Sequence, residues 1–143
     1  MDEIINALLH GEIFSLDFSR AGFWFVTEAS CDCEYALIRL RNQREAILVS
    51  AKEDKLILKS VNSVDESNYS YRFVPQEPLR FAHLFVDEGK ARYLKFRYGD
   101  GYLFLTACES WLIICLGQYD ITGEENTDIP DYDDTELKLI KLG

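Results

Sequence analysis

The sequence predicts a mainly β protein: an antiparallel meander of roughly ten short strands, closed as a barrel or stacked as a sandwich, after one short N-terminal helix. Three observations carry this. Apolar residues alternate at period two through most of the chain, tight-turn residues punctuate them at short intervals, and helical periodicity is confined to the start. The clearest stretch is Arg92 to Gly117, RYLKFRYGDGYLFLTACESWLIICLG, which reads as three consecutive strands.

Taking the elements in order, Asp2 suits a helix N-cap, with Ile4, Ile5, Leu8 and Leu9 on one face, His10 in the last turn and Gly11 as the stop. Ile13 to Phe18 alternates next, with Phe14, Leu16 and Phe18 expected inward and Ser15 and Asp17 outward. Ala21-Gly22 turns the chain into a second strand, FWFVTE, from Phe23 to Glu28. Glu34 to Val61 fits three strands with turns near Asn42-Gln43 and Glu53-Asp54, although Ala36, Leu37 and Leu40 also recur at helical spacing. The short runs Ile47–Val49 and Leu56–Leu58, with β-branched Ile47, Val49 and Ile57, favour the strands.

Val61 to Asn68 is a polar loop, Tyr69 to Val74 alternates again, and Pro75 and Pro78 interrupt pairing. Leu79 to Val86 forms a further strand, with His83 on the face of Phe81 and Phe85, closed by Asp87-Glu88-Gly89. Centring the next hairpin on Asp100-Gly101 sets Tyr98 against Leu103, Phe96 against Leu105 and Leu94 against Ala107. A turn at Glu109-Ser110 sets Ala107 against Leu112, Leu105 against Ile114 and Leu103 against Leu116. Those nine residues form an apolar face; Lys95, Arg97, Phe104, Thr106, Cys115, Ile113 and Trp111 form a mixed one.

At 143 residues, without a Ser/Gly linker or an internal repeat, the chain reads as a single domain over 1–143. No run approaches the ~18 apolar residues of a membrane span, so no membrane partner is expected. Asp2 and Glu3 stand where a secretory leader carries cations, which points to a cytoplasmic protein. The cysteines, Cys31, Cys33, Cys108 and Cys115, form no C-x-x-C pair, and the histidines are His10 and His83 alone. Reduced thiols are expected, with neither metal nor cofactor.

Charge is the most informative feature. Asp120 to Glu136 holds eight acids and no Lys or Arg: Asp120, Glu124, Glu125, Asp128, Asp131, Asp133, Asp134 and Glu136. The chain has 25 acidic and 15 basic residues, so without those eight it would carry 17 against 15, and its net charge of −10 is concentrated here. The run fails as an EF-hand loop, since counting from Asp131 the sixth position is Glu136 and the twelfth Leu142. A solvated segment is the ordinary reading of such a run. As a partner-binding surface, it would use Tyr119 and Tyr132 as anchors among its carboxylates, because Tyr joins a large apolar contact to a hydroxyl. Leu137, Leu139, Ile140 and Leu142 then bring the chain back to the fold as an edge strand.

No nucleophile elbow, phosphate loop, dinucleotide fingerprint or zinc-protease helix occurs, so the expectation is not an enzyme. Nucleic acid is also not expected as a partner. Lys90, Arg92, Lys95 and Arg97 do alternate with Tyr93, Phe96 and Tyr98, but Phe96 and Tyr98 belong to the core face, and a pI near 4.6 repels phosphate. The sequence therefore points to a small acidic binding module. The leading expectation is an inhibitor of the immunity, antitoxin-like type that neutralises a basic protein such as a nuclease toxin. The alternative is a small-molecule carrier with an apolar barrel interior, and a third reading is an enzyme site assembled from Cys31, Cys33 and His83.

Overall fold

The computed structural model describes residues 2–19, 30–41, 45–62, 69, 71–75, 79–98, 101–117 and 140–141. One helix, α1 (Asp2–His10), precedes β1 (Ile13–Phe18), β2 (Ser30–Cys33), β3 (Tyr35–Leu40), β4 (Ala46–Lys52), β5 (Lys55–Val61) and β6 (Tyr71–Phe73). Then come β7 (Arg80–Asp87), β8 (Lys90–Tyr98), β9 (Gly101–Cys108), β10 (Trp111–Gly117) and β11 (Ile140–Lys141). All described pairings are antiparallel and fall into two sheets, ordered β11-β6-β1-β3-β4-β5 and β2-β10-β9-β8-β7. This is a sandwich rather than a closed barrel: the inner faces meet in one core that includes Leu16, Phe18, Ile38 and Val49 from the first sheet and Leu94, Phe96, Leu105 and Ile114 from the second.

The α1 residues Ile4, Ile5 and Leu8 join that core, and the helix touches β5 and β7, edge strands of the two sheets. Leu9, expected on the same face, is instead 55% exposed. Gly11 stops the helix: its N–H donates to Ala7 O, and a Cβ there would collide with that oxygen and with the Leu40 side chain.

Three strands run where Glu34–Val61 was ambiguous, and all three contribute to the core. Only Glu34 separates β2 in one sheet from β3 in the other, so the chain changes sheets at this corner. Buried Ser19 fixes it, its Oγ accepting from the backbone N–H groups of Glu34 and Tyr35, both at 3.0 Å.

Two period-two assignments fail, and each fails at a bulge. In β1, Ile13 faces Leu40 but Ser15 faces Arg39, so Phe14 is an extra residue. Ile13 takes the inward place and Phe14 is 37% exposed, contrary to the alternation; Leu16 and Phe18 are inward as expected. In β7, Phe81 faces Phe96 whereas His83 faces Lys95, so Ala82 is extra. Phe81 packs on the core while His83 and Phe85 share the outer face as expected, so Phe81 alone leaves the grouping.

The β8–β9 register differs from expectation by two residues. Tyr98 faces Gly101, Phe96 faces Leu103 and Leu94 faces Leu105, so the two-residue connection is Gly99-Asp100. An even slip preserves the faces, and Leu94, Phe96, Leu103 and Leu105 are all inward. The β9–β10 pairs stand as expected, with Ala107 against Leu112, Leu105 against Ile114 and Leu103 against Leu116. The strand expected at Phe23–Glu28 and the turn at Asn42-Gln43 lie outside the described residues. At the C-terminus β11 is an edge strand, paired with β6. No helix among the described residues is long and apolar enough to cross a membrane.

Candidate interaction surfaces

The nine predicted contact residues, Tyr119, Asp120, Glu124, Glu125, Asp128, Asp131, Tyr132, Asp133 and Asp134, lie outside the described residues, as does Glu136. Their attachment is described at both ends. β10 ends at Gly117 opposite Tyr102, inside the second sheet. β11 begins at Ile140 opposite Arg72, on the edge of the first sheet. The acidic run is thus tethered to the sandwich on either side, each time by a strand, and the two strands belong to different sheets.

The outer face of the first sheet is built around a buried carboxylate. Asp17 is 0% exposed, and its Oδ1 accepts from Arg72 Nε at 2.7 Å while Oδ2 accepts from Arg72 Nη2 at 3.0 Å and Arg39 Nε at 2.9 Å. The forked guanidinium of Arg72 matches both oxygens, a geometry Lys does not provide. This arrangement joins β6, only three residues long, to β1 and β3. It had no signal in the sequence beyond Asp17 being expected outward.

The outer face of the second sheet is aromatic and cationic. Phe85 stacks on Tyr93 at 4.9 Å between ring centroids, Tyr93 meets Phe104 edge-on at 5.9 Å, and Tyr102 lies 6.0 Å from Phe104. Lys95 Nζ sits 4.3 Å from the Tyr102 ring centroid. Phe104 is fully buried and Tyr93 is 6% exposed, so neither central ring offers a free face for stacking a nucleic-acid base. Beside them, Arg80 faces Arg97 and His83 faces Lys95 across β7 and β8.

At one end of the sandwich two hairpin tips are tied together. The β4–β5 turn holds Glu53 and Asp54 at φ 53° and 63°, the two positive angles of a type I′ turn, without a glycine. Glu109 in the β9–β10 turn is also at positive φ, 55°. Asp54 N–H donates to Glu109 O at 3.0 Å, Glu109 N–H donates to Asp54 Oδ1 at 2.6 Å, and Arg92 Nη1 donates to Asp54 O at 2.9 Å. Arg92 is the extra residue of a further bulge, between the pairs Phe85–Tyr93 and Val86–Ala91. These bonds offset the cost of left-handed backbone at non-glycine residues.

The residues of the scattered-site reading do not come together. Cys33 is buried in the core on β2, while His83 is exposed on the outer face of β7. Those strands are opposite edges of a five-stranded sheet, about 19 Å apart at normal strand spacing. Among the described residues, no three His, Cys, Asp or Glu side chains are grouped to hold a metal ion.

The described fold and surfaces define a class, a small antiparallel β-sandwich with segregated charge. No protein-family model matches this chain, and comparisons with curated proteins and with solved structures found no match.

Proposed function

We propose that this chain is a binding protein whose acidic segment 120–136 caps a cationic surface of a protein partner, in the manner of a cytoplasmic immunity protein that neutralises a nuclease toxin. One observation carries the reading: eight acids without a single base occupy a connection tethered at both ends by strands of different sheets. Two tethers cut the conformational freedom lost when such a segment docks, relative to a free tail. A cleft that binds polyphosphate is cationic, and an acidic plug there gains both long-range steering and contact complementarity. Tyr119 and Tyr132 supply the apolar anchors that charge alone does not. The carrier alternative calls for a closed barrel, whereas the described strands form two sheets packed on a shared core.

The test is co-purification in parallel from the source cytoplasm. Tagged wild type is compared with a variant carrying Asp128→Asn, Asp131→Asn, Asp133→Asn and Asp134→Asn. The proposal expects a basic protein in stoichiometric amount with wild type and a depleted one with the variant. Recovery of the same partner in equal amounts from both would remove the acidic segment from the interface.

A further inference from the structure

A second surface, of opposite charge, lies on the described β7–β8 hairpin. Arg80 to Tyr98, the β7–β8 hairpin, holds five cations and two acids in a chain of net charge −10. The two acids, Asp87 and Glu88, are at the hairpin tip, away from the Arg80–Arg97 end. At that end Arg80 lies directly opposite Arg97, and His83 directly opposite Lys95. The bulge at Ala82 creates this quartet. Strict alternation from Arg80 would turn His83 inward, and the extra residue returns it to the outer face beside Lys95.

Like charges directly opposite each other across strands are destabilising. Arg80, His83 and Arg97 are exposed, and none makes an ion pair among the described residues. Lys95 is half-buried and lies over Tyr102, which itself faces Arg97 and completes one flank. The Arg80–Arg97 pair is a local conflict for which the described residues supply no acid, the kind of departure found at functional positions.

We propose that Arg80, His83, Lys95 and Arg97 form a docking surface for an acidic peptide segment of a partner protein, held through its carboxylates by the two guanidiniums. Charge complementarity selects the partner's sign, and three features favour a peptide over a nucleic acid. The net charge repels an extended polyanion at long range while leaving a short acidic segment accessible. The central rings Tyr93 and Phe104 are buried, which removes the stacking a single strand would use. The quartet spans only two strands, room for a few carboxylates and not for a backbone track. The observations behind this surface are separate from those behind the acidic segment, and neither proposal rests on the other.

The test uses the full chain labelled for amide NMR at low salt, with a short peptide alternating Glu and Thr as the probe. Controls are its Gln counterpart and a short oligothymidylate. The Glu peptide is expected to shift the amides of residues 80–83 and 95–97, the Gln peptide to leave them in place, and Arg80→Gln with Arg97→Gln to weaken binding about fivefold to tenfold. The double variant is expected to melt at or above wild type, since a like-charge pair has been removed, so lost binding is not lost fold. Absent shifts, shifts elsewhere, or binding unchanged in the variant overturn the proposal. Tighter binding of the oligothymidylate through the same arginines would make this a phosphate surface. Peptide binding that appears only after Asp128, Asp131, Asp133 and Asp134 are changed to Asn would assign the surface to the chain's own acidic segment.

Discussion

Replacing Asp17 by Ala is expected to lower stability by about 3 kcal/mol. The carboxylate accepts three hydrogen bonds from two guanidiniums and is fully buried. Charge-assisted bonds contribute about 1.5–3 kcal/mol each, but they do not add here. The side chains of Arg39 and Arg72 keep 22% and 27% of their surface in water and rehydrate in part once the carboxylate is gone. The remaining cost is that of breaking a largely buried pair, at the low end of the ~3–5 kcal/mol range. Unfolding entropy of about 2.1 cal/mol/K per residue gives about 0.3 kcal/mol/K for 143 residues. The melting temperature should therefore fall by about 10 °C. Calorimetry at neutral pH measures this, and Asp17→Asn, which keeps the shape and one acceptor oxygen, should lie between wild type and Ala. Hydrogen exchange should report the loss first at 71–73, the short strand that Arg72 joins to β1. If Asp17→Ala melts within about 2 °C of wild type, the buried pair does not hold β6 and the reasoning fails.

Two further expectations concern the sheets. Leu105→Asp and Ile114→Asp each put an unpaired charge into a fully buried position facing the other across β9 and β10, and should cost upwards of about 4 kcal/mol in urea unfolding; wild-type midpoints would refute the register. Glu53→Gly relieves a positive φ at a residue whose side chain makes none of the described tip contacts, and should stabilise by about 0.5–1 kcal/mol, where a loss would show that the Glu53 side chain matters.

Face assignment was legible from period two wherever the strand was regular, and an even slip in the β8–β9 hairpin left every inward residue inward. It failed at Phe14 and at the Phe81–His83 step because a bulge reverses parity and carries no sequence signature there. The order of strands was not legible either. β6 lies beside β1, and β2 beside β10, through contacts between distant parts of the chain that local propensity does not encode. The same holds for the surfaces. The acidic run was visible as composition, whereas the Asp17 pair and the Arg80–Arg97 quartet depend on which strands become neighbours. A sequence signal for the quartet existed in part, since Lys95 and Arg97 were placed on the mixed face; Arg80 and His83 joined them only through the register.

The central claim, that segment 120–136 steers this protein onto a cationic partner, is tested most directly by association kinetics with the purified partner across a salt series. Wild type is compared with the chain in which Asp128, Asp131, Asp133 and Asp134 are Asn, and with Tyr132→Ala. The account predicts that the four-Asn variant associates about tenfold more slowly at low salt, that the difference shrinks as salt rises, and that Tyr132→Ala mainly speeds dissociation. Equal association rates for wild type and the four-Asn variant at low salt would contradict it.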